Sequence, residues 1–444
     1  MSKFVNNGLR RVRLNQVIRQ FMDFRGRTPL KLDMEWGGGE IRALSANNVQ
    51  MGRIDFSKEA YLGSDALYQR WMTKGDCEKG DVAFTTEAPL GNVAQIPDGE
   101  RYILSQRVIL LKANKAIAEP AYLFQLFQSE AFQAELVRQS TGSTVLGIQR
   151  ARLARVEVDI LPIPQQRQIA EILSTVDEAI EQAEALIVKY QQVKAGLMHD
   201  LFTRGLSPEA SAKGDGTWTL RPTRAQAPQL YNESPLGWIP KEWEVIRIAD
   251  AFEIQLGKML NKFAKTGKLS ASYLGNRAVQ WDFVDISAIE VMDFNAYERQ
   301  KFSLLPGDLL VCEGGDVGRT AMWRGEMDGC YYQKAIHRLR PKSADALPAF
   351  MLRFMRFARD NGFFREFTSQ SSIAHLTQEK LGSIGTLLPS LDEQKRIADR
   401  LDSLDGVIQT EQSKLAKLCH QKQGLMQDLL TGRVRVNVAE SASI

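Results

Sequence analysis

Several residue groups in this sequence have the right types for chemistry, and each misses the spacing its chemistry requires. Glu313-Gly314-Gly315-Asp316-Val317-Gly318-Arg319-Thr320 has the composition of a phosphate loop. However, Glu313 stands where the first glycine belongs, and Arg319 where a lysine must reach the phosphates. Trp36-Gly37-Gly38-Gly39 lacks the spacing of a dinucleotide or methyl-donor loop and reads as a flexible turn. The Asn-Pro-Pro-aromatic tetrapeptide of adenine methyltransferases does not occur. His199, His337, His375 and His420 are not grouped at metal or triad spacing. Cys77, Cys312, Cys330 and Cys419 contain no Cys-x-x-Cys pair and are expected to be buried free thiols. Catalysis by this chain is therefore not expected.

The remaining candidates are side chains that bind rather than react. Arg10, Arg11, Arg13, Arg25 and Arg27 in the first half, and Lys258, Lys262, Lys265, Lys268 and Arg277 in the second, could meet DNA. Arginine reads guanine bidentately and lysine meets phosphate, whereas Asn47, Asn48, Gln50 and Gln280 have the amide geometry suited to adenine. For each the alternative is structural: a solvated surface charge, or, for Asn48, a residue that holds a turn before a strand. Arg353, Arg356 and Arg359 recur every third residue on an expected helix, where the first half has Gln125, Gln128 and Ala131. They are read equally as a solvated face or as phosphate contacts.

The elements that must position these residues follow from a comparison of the chain with itself. At 444 residues it is too long for one core, and 44% hydrophobic with 25% charged residues describes an ordinary globular composition. Net charge is only +4, so any polyanion binding depends on how the cations cluster. The start carries no apolar core with a cleavage site, and no apolar run reaches membrane-span length, so a cytoplasmic, reducing setting without a membrane is expected. From Gln166, QRQIAEILSTVDEAIEQAEALIVKYQQVKAGLMHDLFT aligns without gaps with QKRIADRLDSLDGVIQTEQSKLAKLCHQKQGLMQDLLT from Gln394, at a constant shift of 228 positions. The region before each copy repeats more loosely. Asn48-Val49-Gln50 matches Ala278-Val279-Gln280, Gly80-Asp81 matches Gly307-Asp308, and Gln106 matches Gln333. This is a tandem duplication of a globule followed by a long helix.

Ile169, Leu173, Val176, Ile180, Ala183, Ile187, Tyr190, Leu197 and Leu201 follow steps of three and four, with Lys194 at the missing position. The second copy gives Ile397, Leu401, Leu404, Ile408, Leu415, Leu418, Leu425 and Leu429, with Glu411 and Lys422 as polar exceptions. Two such seams predict mutual pairing as a coiled coil. Parallel pairing would stack Lys194 on Lys422, so an antiparallel arrangement is expected. The alternative is that each stripe packs only on its own globule. Ser390-Leu391-Asp392-Glu393 has capping-box spacing, Pro164 suits a first turn, and Gly205 and Gly432 mark the stops. Residues 169–201 would span roughly 50 Å, more than one DNA turn of about 34–36 Å. Such helices would hold two similar globules apart about a pseudo-twofold axis, a geometry that matches two half-sites separated by unread base pairs.

Alternating apolar residues such as Val108-Ile109-Leu110-Leu111 and Leu309-Leu310-Val311 suggest strands interleaved with helices at Ala121–Arg138 and Pro348–Asp360. Each globule is expected to be α+β.

The arrangement resembles the specificity subunits of type I restriction enzymes over essentially the whole chain. The resemblance rests on Leu161-Pro162-Ile163-Pro164 and Leu388-Pro389 leading into Gln166-Arg167-Gln168-Ile169-Ala170 and Glu393-Gln394-Lys395-Arg396-Ile397-Ala398. It also rests on Gly196-Leu197-Met198 and Gly424-Leu425-Met426, and on Gly237-Trp238-Ile239-Pro240-Lys241-Glu242-Trp243, which is similar to the family's domain openings. The first copy departs in having Gln165 in place of the glutamate. The resemblance implies two target-recognition domains, at 1–160 and 237–387, and helical regions at 161–206 and 388–433, with a linker at 207–236 and a tail at 434–444. It further implies double-stranded DNA with a bipartite site as ligand, and two modification subunits docked on the helices. S-adenosylmethionine would reside on those partners, and ATP and magnesium on restriction subunits, with none of these cofactors on this chain. Two rival readings remain at this stage: a specificity module of a longer methylating or cutting chain, and a coiled-coil scaffold that binds no DNA.

Overall fold

The computed structural model describes residues 8–208, 217–260, 266–364 and 375–437. The chain divides into two compact units: unit 1 holds residues up to Ala185 and from Gln412 onward, and unit 2 runs from Leu186 to Glu411. Both are α+β, and they share one sheet plan. In unit 1 a four-stranded antiparallel sheet is ordered Ile18–Asp23, Val108–Ala113, Val82–Thr86, Leu90–Gln95. In unit 2 the corresponding order is Phe252–Leu256, Ile336–Pro341, Leu309–Cys312, Thr320–Met322. Each unit adds a three-stranded sheet with one parallel pair, Ile41–Leu44 with Tyr102–Leu104 and Ser270–Leu274 with Tyr331–Tyr332. Each also adds a short antiparallel pair, Arg10–Arg13 with Glu157–Ile160 and Glu244–Arg247 with Gly385–Leu388.

The runs Val108-Ile109-Leu110-Leu111 and Leu309-Leu310-Val311-Cys312 are apolar at every position because both faces of the sheet are covered there. Ile109 and Leu111 enter one core cluster and Val108 and Leu110 another. In unit 2, Leu309 and Val311 enter one cluster, and Leu310 and Cys312 the other. Successive side chains point to opposite faces of a strand, so a run that meets a core on both faces is apolar at consecutive positions. Pro348–Asp360 is one helix as expected, but the helix read over Ala121–Arg138 is two, Pro120–Gln128 and Glu130–Gln139. Ser129 breaks it by taking an extended conformation and capping the second helix, its hydroxyl accepting from Phe132 N. Three cysteines are buried, with burial pushing the Cys77 thiol up to about 12, but Cys419 is exposed, contrary to expectation.

The long helices run Ile163–Thr203 and Leu391–Leu429. Their pairing is antiparallel. In unit 1, Lys422 near the end of the second helix lies 2.7 Å from Asp177 near the start of the first. In unit 2, Lys194 near the end of the first lies 2.5 Å from Asp405 near the start of the second. These two ion pairs are related by the 228-residue shift, so each seam lysine meets the aspartate of the opposite helix. The alternative of packing on the globule is also realised. Ile169, Ala170 and Leu173 join the unit 1 core, and Ile397 and Leu401 that of unit 2. The far ends change units: Leu425, Met426, Leu429 and Leu430 pack into unit 1, whereas Met198, Leu201 and Phe202 pack into unit 2.

The stretch expected to be a linker is, at its described residues, part of unit 2. Trp218–Leu220 pairs with Leu206–Pro208, and Tyr231–Ser234 with Gly237–Pro240. Arg221 from this stretch is buried against Glu393, with nitrogen-to-oxygen distances of 2.5 and 3.1 Å. The capping box is therefore half made. Ser390 Oγ accepts from Glu393 N at 3.4 Å, while the Glu393 carboxylate turns away to accept from Arg221, Trp243 Nε1 and Leu206 N. Glycine is required at Gly205, where φ is +62° and a Cβ would collide with Glu393 and Trp243.

Candidate nucleic-acid interface

Two loops leave the parallel strand pair of unit 1 at the same end. After Leu44 the chain turns through Ser45–Gln50, and after Leu104 it bends through Ser105–Arg107, with Ser105 N donating to Leu44 O at 2.8 Å. The two loops line one cleft of about 720 Å³, which includes Arg27, Asn47, Gln50, Gln106 and Arg107. Trp36 and Tyr61 form another wall, their rings stacked with centroids 5.2 Å apart, and Tyr61 is 64% exposed.

Within the turn the amides have different jobs. Asn48 is fully buried: its Oδ1 accepts from Ser45 Oγ at 2.9 Å and its Nδ2 donates to Lys58 O at 3.3 Å. Its amide holds the turn and is not presented to a ligand. Gln50 Nε2 donates to Asn47 O at 2.9 Å. This bracing leaves Asn47 exposed. Unit 2 repeats the brace, Gln280 Nε2 donating to Arg277 O at 2.7 Å, with Arg277 exposed and Ala278 buried in the place of Asn48.

The basic candidates separate on the same criterion. Arg25 is held by Asp23 (2.7 Å) and by Thr86 Oγ1 (3.2 Å). Arg27 donates to Trp71 O and, at 3.0 Å, to Thr73 Oγ1. Lys258 is engaged by Glu298 at 2.6 Å and Asp293 O at 2.5 Å. Arg11 and Arg13 lie 3.4 Å from Asp159 and 3.7 Å from Glu157 and line a separate groove, so they are not brought to the cleft. Arg10 and Lys268 are exposed, and Lys262 and Lys265 lie outside the described residues. The arginine row also splits. Arg353, with 5% of its side chain exposed, is bound by Asp282, Asp402 and Asp405 at 3.0, 2.5 and 2.8 Å. Arg356 and Arg359 cover the Trp281 ring at 4.9 and 5.4 Å. Gln125, at the position equivalent to Arg353, donates to Asp177 at 2.6 Å, so both serve the helix pairing. The glycine loop at 313–320 is tied to the turn, Arg319 Nη2 donating to Asn276 O at 2.7 Å and Asn276 Nδ2 to Gly314 O at 3.1 Å.

One sequence anchor is corrected by a residue. Gln333 N donates to Leu274 O at 3.1 Å, the bond that Ser105 makes in unit 1. Gln333 is thus the counterpart of Ser105, and Gln106 that of Lys334. Type identity between two glutamines misaligned a loop that the backbone bonds align. Trp36, Tyr61 and Lys334 were missed altogether. No spacing rule links Trp36 to Tyr61, whose rings meet only in the folded unit 1, and Lys334 is placed in unit 2 by its backbone equivalence to Gln106. The Asp177–Asp405 equivalence, by contrast, was present in the ungapped repeat.

Among the described residues, no group of three or more His, Cys, Asp or Glu could hold a metal ion. No helix is long and apolar enough to cross a membrane.

The model of the type I restriction modification DNA specificity domain matches twice, over residues 12–189 and 240–420, together most of the chain. The sequence is 26% identical over 359 residues to the type I restriction enzyme MjaVIII specificity subunit of Methanocaldococcus jannaschii, covering 78% of this chain and 77% of the relative. It is 24% identical over 401 residues to the putative MjaX specificity subunit of the same organism, covering 87% and 86%. The crystal structure of a type I restriction-modification system S subunit from M. genitalium superposes with a TM-score of 0.56 at 14% identity, covering 97% of this chain and 98% of that one. That likeness is one of fold.

Proposed function

This chain belongs to the type I restriction modification DNA specificity family, and from that premise we propose that each unit reads one half of a bipartite double-stranded DNA site. The observation that carries the proposal is the repetition of one strand-and-turn scaffold that presents different exposed residues, Asn47 in one copy and Arg277 in the other. A scaffold kept twice with changed tips suits two half-sites of different sequence. The paired helices set the number of unread base pairs and dock two modification subunits. Those subunits carry S-adenosylmethionine and methylate adenine N6, while restriction subunits bring ATP-driven, magnesium-dependent cleavage. The complex works in the cytoplasm, on double-stranded DNA.

Exchanging residues 1–160 for the corresponding domain of a relative is expected to change one half of the methylated site in the host genome and leave the other intact. A change in both halves, or in neither, overturns the proposal. Inserting seven residues in register into both helices should lengthen the unread spacer; an unchanged spacer removes the ruler role. Binding should also weaken steeply as salt rises, through counterion release, which a protein scaffold without DNA affinity would not show.

A further inference from the structure

The loop pair around the unit 1 cleft has a backbone counterpart in unit 2, bond by bond. Ser105 N donates to Leu44 O and Gln333 N to Leu274 O, at 2.8 and 3.1 Å. Thr86 N donates to Arg107 O and Glu313 N to Ala335 O, at 2.8 and 2.9 Å. Arg107 and Ala335 both take left-handed conformations, with φ of +68° and +90°. Such a conformation is unfavourable for residues that carry a Cβ, and it is maintained here beneath two unrelated side chains. The backbone shape is the repeated feature, and the side chains mounted on it are not: Asn47 and Gln106 in unit 1 become Arg277 and Lys334 in unit 2.

All four of these side chains are exposed, and none has a hydrogen-bond or ion-pair partner among the described residues. The nearby groups that could compete for a base are already engaged: Arg25 and Lys258 by carboxylates, Asn48 by its own turn, Gln50 and Gln280 by the braces. Arg107 is 3.4 Å from Glu87 and has Ala335 as its counterpart, so it is not a position at which both units can read.

Resting on the DNA-recognition reading above, we infer that Asn47 and Gln106 are the base-discriminating residues of unit 1, and Arg277 and Lys334 those of unit 2. The chemistry of each pair then fixes its target. A side-chain amide presents one donor and one acceptor and matches adenine N6 and N7. Guanidinium and ammonium groups are donors only and match guanine O6 and N7. Unit 1 therefore reads at least one A·T pair, and unit 2 at least one G·C pair.

The test is selection from a library of randomised duplex DNA by the full chain at fixed salt, with sequencing of the retained duplexes. The wild type should yield a split motif. Gln106→Ala or Asn47→Ala should reduce the preference for adenine at one position by about tenfold or more, within one half only. Arg277→Ala or Lys334→Ala should do the same to guanine in the other half. The intact half serves as the internal control for folding. Asn47→Arg should convert a preference for adenine into one for guanine, a gain that a misfolded variant cannot mimic. A motif unchanged in all five variants, or uniformly weaker binding with no change at any position, overturns this inference alone. A wild type that selects no split motif overturns the DNA-recognition reading, and this inference with it.

Discussion

Glu393 is buried beside Arg221, Trp243 and the Leu206 N–H, whereas the position 228 residues earlier holds the neutral Gln165. With 7% and 3% of their side chains exposed, Arg221 and Glu393 form an ion pair whose separation leaves a charge stranded in the core. Glu393→Gln is expected to destabilise unit 2 by about 3 kcal/mol. This is the low end of the usual range, because Glu242 still holds Arg221 at 2.8 Å. The midpoint of urea unfolding measures it. A second residue controls acid behaviour. The hydroxyl of Thr266, followed by the N–H groups of Leu269, Thr266 and Gly267, holds the Asp293 carboxyl down to about 2 from its ordinary 3.8. A depressed carboxylate stabilises the fold above its unfolded value and loses that contribution as pH falls through the folded one. The loop at 266–269 should therefore stay protected at pH 5 and open as pH falls from 3.8 toward 2. Asp293→Asn should flatten that dependence, as followed by hydrogen exchange at low pH.

The helix seam combines apolar steps with one lysine per copy, and each lysine meets an aspartate across the pair. The two ion pairs are equivalent in sequence but not in surroundings. Asp405 is shared with Arg353, 2.8 Å away, while Asp177 also accepts from the neutral Gln125. Charge exchange should therefore succeed at one end only. Lys422→Asp alone should destabilise the chain, and adding Asp177→Lys should recover about 1–2 kcal/mol of the loss. The same exchange at Lys194 and Asp405 should not recover, because the new lysine would face Arg353. Denaturation of the single and double variants decides this, and equal recovery at both ends would show that Arg353 is electrostatically silent. The seam was readable from steps of three and four, and the antiparallel sense from the clash of like charges. The role of Arg353 was not readable, since its partners lie on other elements of unit 2.

For the whole molecule, the far end of each long helix completes a core to which its own globule does not belong. Leu429 and Leu430 are buried in the cluster that holds Ile109 and Phe127, residues more than 300 positions away in sequence. Leu429→Ala is expected to cost about 2–5 kcal/mol. The loss should fall on unit 1, seen as faster hydrogen exchange along Val108–Ala113, with Leu309–Cys312 unaffected. Leu201→Ala should show the converse. If both substitutions loosened only the helices, the ends would be peripheral to the cores. The shared sheet plan of the two units was anticipated as a duplicated α+β globule. The incorporation of Arg221 and Trp218–Leu220 into unit 2, where a linker was expected, was not.

Periodic and repeated features were determined by the sequence alone: two long helices, their antiparallel sense, the duplication, and strands at Val108-Ile109-Leu110-Leu111 and Leu309-Leu310-Val311. These depend on interactions between residues a few positions apart, or on a fixed shift, and a linear pattern records both. Tertiary structure decided which polar side chains are committed internally and which are left for a ligand. Asn47 and Asn48 are adjacent and chemically identical, yet one is exposed and the other is buried against Ser45 and Lys58. The difference follows from the turn that strand pairing imposes. An amide's availability depends on partners brought close by the backbone, and no local spacing encodes them.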